Sequence, residues 1–368
     1  LCAFVPGASG AVAALLKKGI LEEEGQETFR SPFRTAVETP GKALPFTPQQ
    51  QAAFDGIMQS VEQGGGTCLL YGVTGSGKTE VYLQAVARVM QEGGKAIVLV
   101  PEISLTPQAM ERFRSRFGAR VAVLHSRLSP GERYDEWRRI RLGKVDVVIG
   151  ARSAVFAPLT GLKLIVVDEE HEPSYHSELA PRYSAVEVAA KRAKLNQAVL
   201  VLGSATPSVA SYRRGLKGIY RLLTLPERIN GQPMPQVEIV DLRNEFRAGN
   251  NSIFSASLHA ALGQCLSAGE QAILFMNRRG YSTFVSCRGC GYVVKCPDCD
   301  VSMTYHKLEG VMKCHYCGRT ARIPKVCPEC GKPYLKGFGV GTQQVEEQLA
   351  AQFPGVSAVR MDLDTTRT

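Results

Sequence analysis

The stretch Gly72–Thr79, GVTGSGKT, constrains this chain more than any other part of it. Its spacing is G-x-x-x-x-G-K-T. It follows a short apolar run, TCLLY (67–71), and opens an amphipathic segment, 78–91. A glycine-rich turn between strand and helix lets the backbone curl until its N–H groups converge, and the helix N-terminus adds positive potential. Such a turn cradles the phosphates of a nucleotide. Gly72, Val73, Thr74, Gly75, Ser76 and Gly77 would form the cradle. Lys78 would reach the β- and γ-phosphates, and Thr79 would hold Mg²⁺ through its hydroxyl. The motif works only between a strand and a helix, so it commits this region to a β/α architecture.

The flanking sequence agrees. Further short apolar runs follow: AIVLV (96–100), VAVLH (121–125), VDVVIG (145–150), LIVVD (164–168) and AVLVLG (198–203). Several are rich in Val and Ile, and each is bounded by Gly, Pro or charge. Amphipathic segments such as 78–91 and 130–142 lie between them. This pattern predicts buried parallel strands joined by crossover helices. The run LIVVDEEH (164–171) ends in acids. In a parallel sheet the carboxyl end of a strand faces the ligand crevice. Asp168 is therefore expected to hold Mg²⁺ through water, and Glu169 to orient or deprotonate an attacking water. GSATPS (203–208) ends the next run, where its hydroxyls either sense the γ-phosphate or cap a helix.

Upstream, residues 9–22 read as a short helix ending at Gly19, followed by the start of a strand, and then a polar linker to Pro45. Downstream, a Pro/Gly-rich link (225–236) leads to a second β/α start. Strands are expected at VEIVDL (237–242) and AILFMN (272–277), with helices near 256–267 and 342–353.

Between about 286 and 332 lie four C-x-x-C pairs: Cys287/Cys290, Cys296/Cys299, Cys314/Cys317 and Cys327/Cys330. They hold eight of the eleven cysteines. Eight thiolates suit two tetrahedral zinc sites with no position left open for water, so the sites are expected to be structural. Three pairings of the four knuckles are possible, as is an iron–sulfur cluster. Cys299 and Cys314 are separated by fourteen residues, close to a zinc-ribbon spacing. His306 and His315 are surplus to eight cysteines. Arg288, Lys295, Lys313, Arg319, Arg322, Lys325, Tyr292 and Tyr316 give the insertion a surface suited to DNA, to a protein partner or simply to solvent.

The formal charge of +10 favours a polyanionic partner, nucleic acid first. Two Zn²⁺ on eight thiolates would lower it by four, to +6. AVAALL (11–16) is too short to span a membrane, and Lys17 and Lys18 follow it, the wrong polarity for a signal peptide. Tight cysteine pairs without a secretory signal point to metal and an intracellular setting. The chain opens on Leu1 and stops inside the second β/α unit, so it is expected to be a piece of something longer.

Taken in order, GVTGSGKTEVY, PEISLTPQ (101–108), LHS (124–126), GARSAVFAP (150–158), DEEH, GSATPS and FMNRRGY (275–281) resemble superfamily 2 DNA helicases. The cysteine module after NRRGY is similar to that of the primosomal replication-restart helicases of bacteria, and the resemblance covers residues 10–368. It implies an α/β fold: a RecA-like P-loop lobe with a parallel sheet, then a partial second RecA-like lobe carrying a cysteine-rich two-zinc insertion. The implied domains are 1–40, the tail of a winged-helix domain and linker; 41–225, lobe 1; 226–285, linker and start of lobe 2; 286–336, the zinc insertion; and 337–368, lobe 2 continued.

The implied activity is ATP hydrolysis driving 3′-to-5′ movement on DNA, at forks and single strands, in a bacterial cytoplasm. Single-stranded-DNA-binding protein and other primosomal proteins would be partners. Gln50, in FTPQQQAAF (46–54), would contact adenine, while Ser104, Thr106, Arg152 and Ser153 would grip the DNA backbone. In the loop 171–187, Tyr175, Arg182 and Tyr183 would stack on bases or touch phosphate. That loop has His176-Ser177 and Ser184-Ala185-Val186 where the family commonly has Lys-Gln and His-Ala-Arg. The family also pairs the inner knuckles in one zinc site and the outer knuckles in the other. Its arginine finger would fall beyond Thr368, so residues 1–368 alone should hydrolyse ATP poorly.

Three other readings compete. A transporter motor would show L-S-G-G-Q, which is missing from the sequence. A zinc module on a dead ATPase sits badly with intact Lys78, Asp168 and Glu169. An RNA helicase shares most motifs but not the cysteine insertion.

Overall fold

The computed structural model describes residues 9–22, 29–30, 43–102, 106–276, 283–306, 310–338 and 342–361. The chain divides into two compact units, Leu1–Met234 and Pro235–Thr368.

In the first unit α1 (Ser9–Lys17) ends where Gly19 takes a left-handed φ of 66° and the Ile20 N–H turns back to the Leu15 carbonyl. The strand expected after Gly19 is not formed, because this closure folds the chain back on its own helix. Next come α2 (Pro48–Glu62), β1 (Gly66–Gly72), α3 (Lys78–Gln91), β2 (Lys95–Leu99), α4 (Pro107–Phe117), β3 (Val121–Leu124) and α5 (Pro130–Arg141). They are followed by β4 (Val147–Gly150), β5 (Leu162–Asp168), α6 (Ala185–Asn196), β6 (Val199–Ser204), α7 (Val209–Leu216) and β7 (Arg221–Leu225). The starts of α2 and α5 share one logic. Thr47 and Ser129 cap them in reciprocal boxes with Gln50 and Glu132, and Pro48 and Pro130 occupy the first turn, where no N–H is needed.

The seven strands form one parallel sheet in the order β3-β4-β2-β5-β6-β1-β7. Both faces are covered. On β5, Leu164 and Val166 join the core under α2 and α3, while Ile165 and Val167 join the core under α6. A strand buried on both sides has no need to alternate polar and apolar residues, which explains the continuous apolar runs. β7 was hidden in the sequence because its residues are mostly half-buried and it begins with Arg221. The order matters for function: β6 lies between β1 and β5, so the carboxyl ends of all three sit side by side. Asp168 pairs with Gly203 and Tyr71 with Ser204.

The second unit contains α8 (Leu242–Arg247), α9 (Ala256–Ser267), β8 (Thr283–Cys287), β9 (Thr304–His306), β10 (Val311–Lys313), β11 (Thr320–Ala321), β12 (Leu335–Phe338) and α10 (Thr342–Gln352). Its strands make an antiparallel sheet in the order β11-β10-β9-β8-β12. The helices expected near 256–267 and 342–353 are present. The strands expected at 237–242 and 272–277 are not formed among the described residues. Leu242 instead starts α8 behind an Asp241 cap, and Ile239 and Ile273 are each 93% exposed. A parallel strand is stable only with hydrogen-bonding neighbours and cover on its faces, and no described segment supplies them here.

Candidate active site and metal centres

The phosphate-binding loop is built as its sequence requires. Gly75 and Gly77 both have φ of 82°, and Gly77 precedes the first residue of α3. A Cβ on Gly77 would overlap the Gln50 amide. Gln50 is buried and donates from Nε2 to the Ser76 carbonyl at 3.0 Å, while its Oε1 accepts the Thr47 N–H at 2.9 Å. The capping residue of α2 thus also props the loop. Lys78 Nζ donates to the Gly72 carbonyl at 2.9 Å and lies 3.9 Å from Glu169 Oε1. Thr74, Gly75, Gly77, Lys78, Thr79, Asp168 and Glu169 line a cleft of about 630 Å³. It also reaches Arg112 and Arg116, and Arg116 is tied to Glu80 at 3.0 Å.

Asp168 closes β5. Its carboxylate accepts the Tyr82 hydroxyl at 3.3 Å. Burial, then the neighbouring Glu169 charge, raises its pKa to about 6. Tyr82 stands one helical turn after Lys78, so one face of α3 serves both loop and acid. Gly203 leaves space for the Tyr82 hydroxyl, which a side chain there would overlap. Glu169 takes a left-handed φ of 46°, an uncommon conformation for a residue with a Cβ. Its other oxygen accepts the Ser204 hydroxyl at 3.3 Å. Ser204 Oγ lies 2.7 Å from His171 Nδ1, and His171 Nε2 lies 3.4 Å from Thr206 Oγ1. Hydrogen bonds therefore link the acidic motif to GSATPS through all three of its hydroxyls, the third, Ser208, donating to Glu170 at 3.3 Å while it also caps α7. Glu170, unremarked in the sequence, is buried and accepts the Ser208 N–H at 2.6 Å and the Ser211 hydroxyl at 3.1 Å.

A second cleft, about 750 Å³, lies beside the 152–156 turn. Arg152, Ser153, Phe156 and Tyr183 line it. The Phe156 and Tyr183 rings are 5.0 Å apart, and the Arg152 guanidinium is 5.7 Å from the Tyr183 ring. Arg152 also donates to the His176 carbonyl, tying this turn to the loop 171–187. Arg192 of α6 steadies the turn by donating to the carbonyls of Val155 and Ala157.

The candidate contacts differ in how they are placed. Thr106 is exposed, but its hydroxyl caps α4. Arg182 is exposed and Tyr183 half-buried. Tyr175 is corrected: it is 1% exposed, and its hydroxyl donates to the Asp168 carbonyl at 2.7 Å. No base can stack on it, and it supports the acidic motif from below. Ser104 and residues 277–281 lie outside the described residues.

The eight cysteines form two clusters, Cys287/Cys290/Cys327/Cys330 and Cys296/Cys299/Cys314/Cys317, with all Sγ atoms of a cluster within 4.8 Å of one another. This is the nested pairing. The Cys287–Cys330, Cys290–Cys327 and Cys296–Cys317 sulfurs are each 3.6 Å apart. Zn–S bonds of about 2.3 Å in a tetrahedron put sulfurs roughly 3.8 Å apart, so both clusters are suited to zinc.

All four knuckles have one backbone design. The N–H of the first cysteine donates to the carbonyl five residues on, and its carbonyl accepts the N–H four residues on. That fourth residue is left-handed each time: Gly291, Asp300, Gly318 and Gly331, with φ of 84°, 53°, 77° and 66°. Glycine adopts this conformation without strain and Asp tolerates it, so the glycine after three of the four pairs was a readable signal. The Cys317 backbone N–H helps draw the Cys314 thiol down to about 7, toward the thiolate a metal needs. Around the clusters Lys295 pairs with Asp300 and Arg319 with Asp298, while Tyr316 is 83% exposed. Among the described residues no helix is long and apolar enough to cross a membrane.

The profile of the DEAD/DEAH box helicases matches residues 47–214, and that of the PriA DNA helicase Cys-rich region (CRR) domain matches 296–322. Replication restart protein PriA of Bacillus subtilis (strain 168) is 51% identical over 367 residues, 100% of this chain and 46% of that protein. PriA of Synechocystis sp. is 49% identical, covering 99% of this chain and 44% of that protein. The chain thus spans about half the length of these curated relatives. Among solved structures, RecG bound to a three-way DNA junction aligns with a TM-score of 0.43 at 24% identity, over 61% of this chain and 29% of that one.

Proposed function

The chain is a homologue of the bacterial PriA replication-restart helicases, with their DEAD/DEAH-box and cysteine-rich regions, and from that premise we propose that it is the ATP-binding and zinc-carrying part of a 3′-to-5′ DNA helicase. The observation that carries this reading is the shared edge of β1, β5 and β6. There the phosphate-binding loop, the acids and the hydroxyl motif meet, with an arginine- and aromatic-lined cleft on the same unit.

In this reading Gly72–Gly77 wrap the phosphates of ATP and Lys78 neutralises the terminal ones. A divalent cation on Thr79 and Asp168 would supply charge for phosphoryl transfer. Glu169 takes a proton from, or orients, the attacking water. The link from Glu169 through Ser204 and His171 to Thr206 gives that carboxylate one orientation. Gln50 is the adenine contact by resemblance. In this structure it is 3% exposed, and its amide is engaged with the Ser76 carbonyl and the Thr47 N–H. Arg152, Ser153 and Tyr183 line the strand's path, and the exposed Arg182, next to Tyr183 in the chain, is a further phosphate contact by resemblance. The zinc clusters stabilise their own unit and take no part in the hydrolysis. Residues 41–225 act as the first motor lobe and 286–336 as the zinc insertion, with forked DNA as substrate and primosomal proteins as partners.

The test is ATP hydrolysis by a chain completed to the length of its relatives, with forked and single-stranded DNA. DNA should stimulate turnover, and Lys78→Ala should abolish it. Turnover indifferent to DNA would remove the helicase reading.

A further inference from the structure

The cleft beside Arg152 has a second wall that no motif predicted. Helix α5 turns Glu136 and Ile140 inward. Its outer face exposes Arg133, Tyr134, Trp137 and Arg141. Trp137, the chain's one tryptophan, is 40% exposed. The Arg141 guanidinium lies 5.5 Å from its ring centroid. Arg133 is anchored at the rim by a 3.2 Å bond to the Ser126 carbonyl. Trp137 and Arg133 line the same cleft as Arg152, Phe156 and Tyr183.

The chemistry of this wall selects among ligands. Glu102 and Glu178 also line the cleft, so it is not a concentrated cation field and would not hold a free polyphosphate. Attraction has to come from a flat, polarisable face, with cations beside it rather than throughout. An exposed indole with the Arg141 guanidinium over its ring and Arg133 one helical turn before it meets that description, since every base has a π-face and nearby arginines accommodate the backbone. A volume of about 750 Å³ suits a nucleotide-sized group.

We propose that Trp137, flanked by Arg133 and Arg141, is a base-stacking station that extends the groove along α5 and takes one unpaired base of a single-stranded DNA. The proposal rests on the reading of this groove as a path for single-stranded DNA.

Because the chain has one tryptophan, indole emission reports this position alone. The zinc-loaded chain is titrated with end-labelled oligo-dT and with an abasic oligomer of equal length. Anisotropy of the label reports binding, and emission reports stacking. Oligo-dT should quench the indole, and the abasic oligomer should bind without doing so. Trp137→Ala should weaken oligo-dT about 5- to 100-fold and leave the abasic oligomer unaffected. Trp137→Phe should retain most of the affinity. Arg141→Gln should keep the quenching and lower the slope of log affinity against log salt by about 0.7.

Binding with unchanged emission, or equal oligo-dT affinities for wild type and Trp137→Ala, overturns the station but leaves the groove as a DNA path. Equal losses on both oligomers mean a structural role and also overturn it. Absence of binding to either oligomer overturns both readings.

Discussion

Ile165 in β5 and Cys314 after β10 are equally buried, at 0% exposure. Their surroundings differ in kind. Ile165 sits among apolar side chains from β2, β6 and α6 within a large continuous core. Cys314 sits in a cluster whose main members are Val285, Val294, Met303 and Met312 and another cysteine, beside strands of two to five residues. The first region is stabilised by apolar area removed from water. The second buries too little for that route, and small units of this kind need a metal or a disulfide. The four repeated knuckles are the alternative means: backbone geometry set in advance and sulfurs converging into two sites suited to zinc. One chain thus carries two solutions to the cost of ordering a backbone.

Metal removal should separate them most. A strong chelator should unfold the unit carrying β8–β12, since structural zinc is worth on the order of 10 kcal/mol to such units. The sheet β1–β7 should keep its cooperative transition. Hydrogen exchange followed segment by segment checks this, and protection of 311–321 surviving metal loss would break the comparison. A smaller and opposite effect is expected from Ile165→Ala. It should cost about 2–5 kcal/mol in the first unit and leave the zinc content unchanged, as read by thermal unfolding and metal analysis. Loss of zinc in that variant would show that the regions are not energetically distinct.

The smallest effect is pH-dependent and belongs to the first unit. Asp168 has its pKa raised to about 6 from an ordinary 3.8, mainly by burial. The folded chain therefore holds a proton that the unfolded chain has released between these values. The stabilisation is complete below about 4 and is lost as pH rises through about 6. It should amount to about 1–2 kcal/mol after allowance for contact with solvent. Asp168→Asn should flatten the stability profile across that window, and an unchanged slope would locate the titration elsewhere.

The parts readable from sequence were those in which local chemistry is self-contained. GVTGSGKT needs a strand, a turn and a helix, and all three are adjacent in the chain. Each C-x-x-C knuckle closes on itself within six residues. Six parallel strands announced themselves by apolar runs. Where a feature needed a distant partner, local reading was weaker. VEIVDL and AILFMN have strand-like composition, yet composition cannot supply the neighbours that a parallel strand requires. Tyr175 and Tyr183 are both loop tyrosines in sequence. One is sealed under Asp168 and the other faces a cleft, because the 3₁₀ turn 173–175 directs the first inward. Glu170 and Tyr82 were missed for the same reason: their partners Ser208, Ser211 and Asp168 lie 38 to 86 positions away.

By itself, then, the sequence determined the reactive groups and the local shapes that present them: a phosphate cradle, two acids at a strand end and four thiolate pairs. Tertiary structure alone decided which of them meet. Inserting β6 between β1 and β5 brings Lys78, Glu169 and Ser204 into one network. Folding the outer knuckles over the inner ones sorts eight sulfurs into two fours. The physical reason is that periodicity and spacing encode interactions along the chain, whereas strand order and ligand pairing are settled by packing between segments that local sequence does not relate.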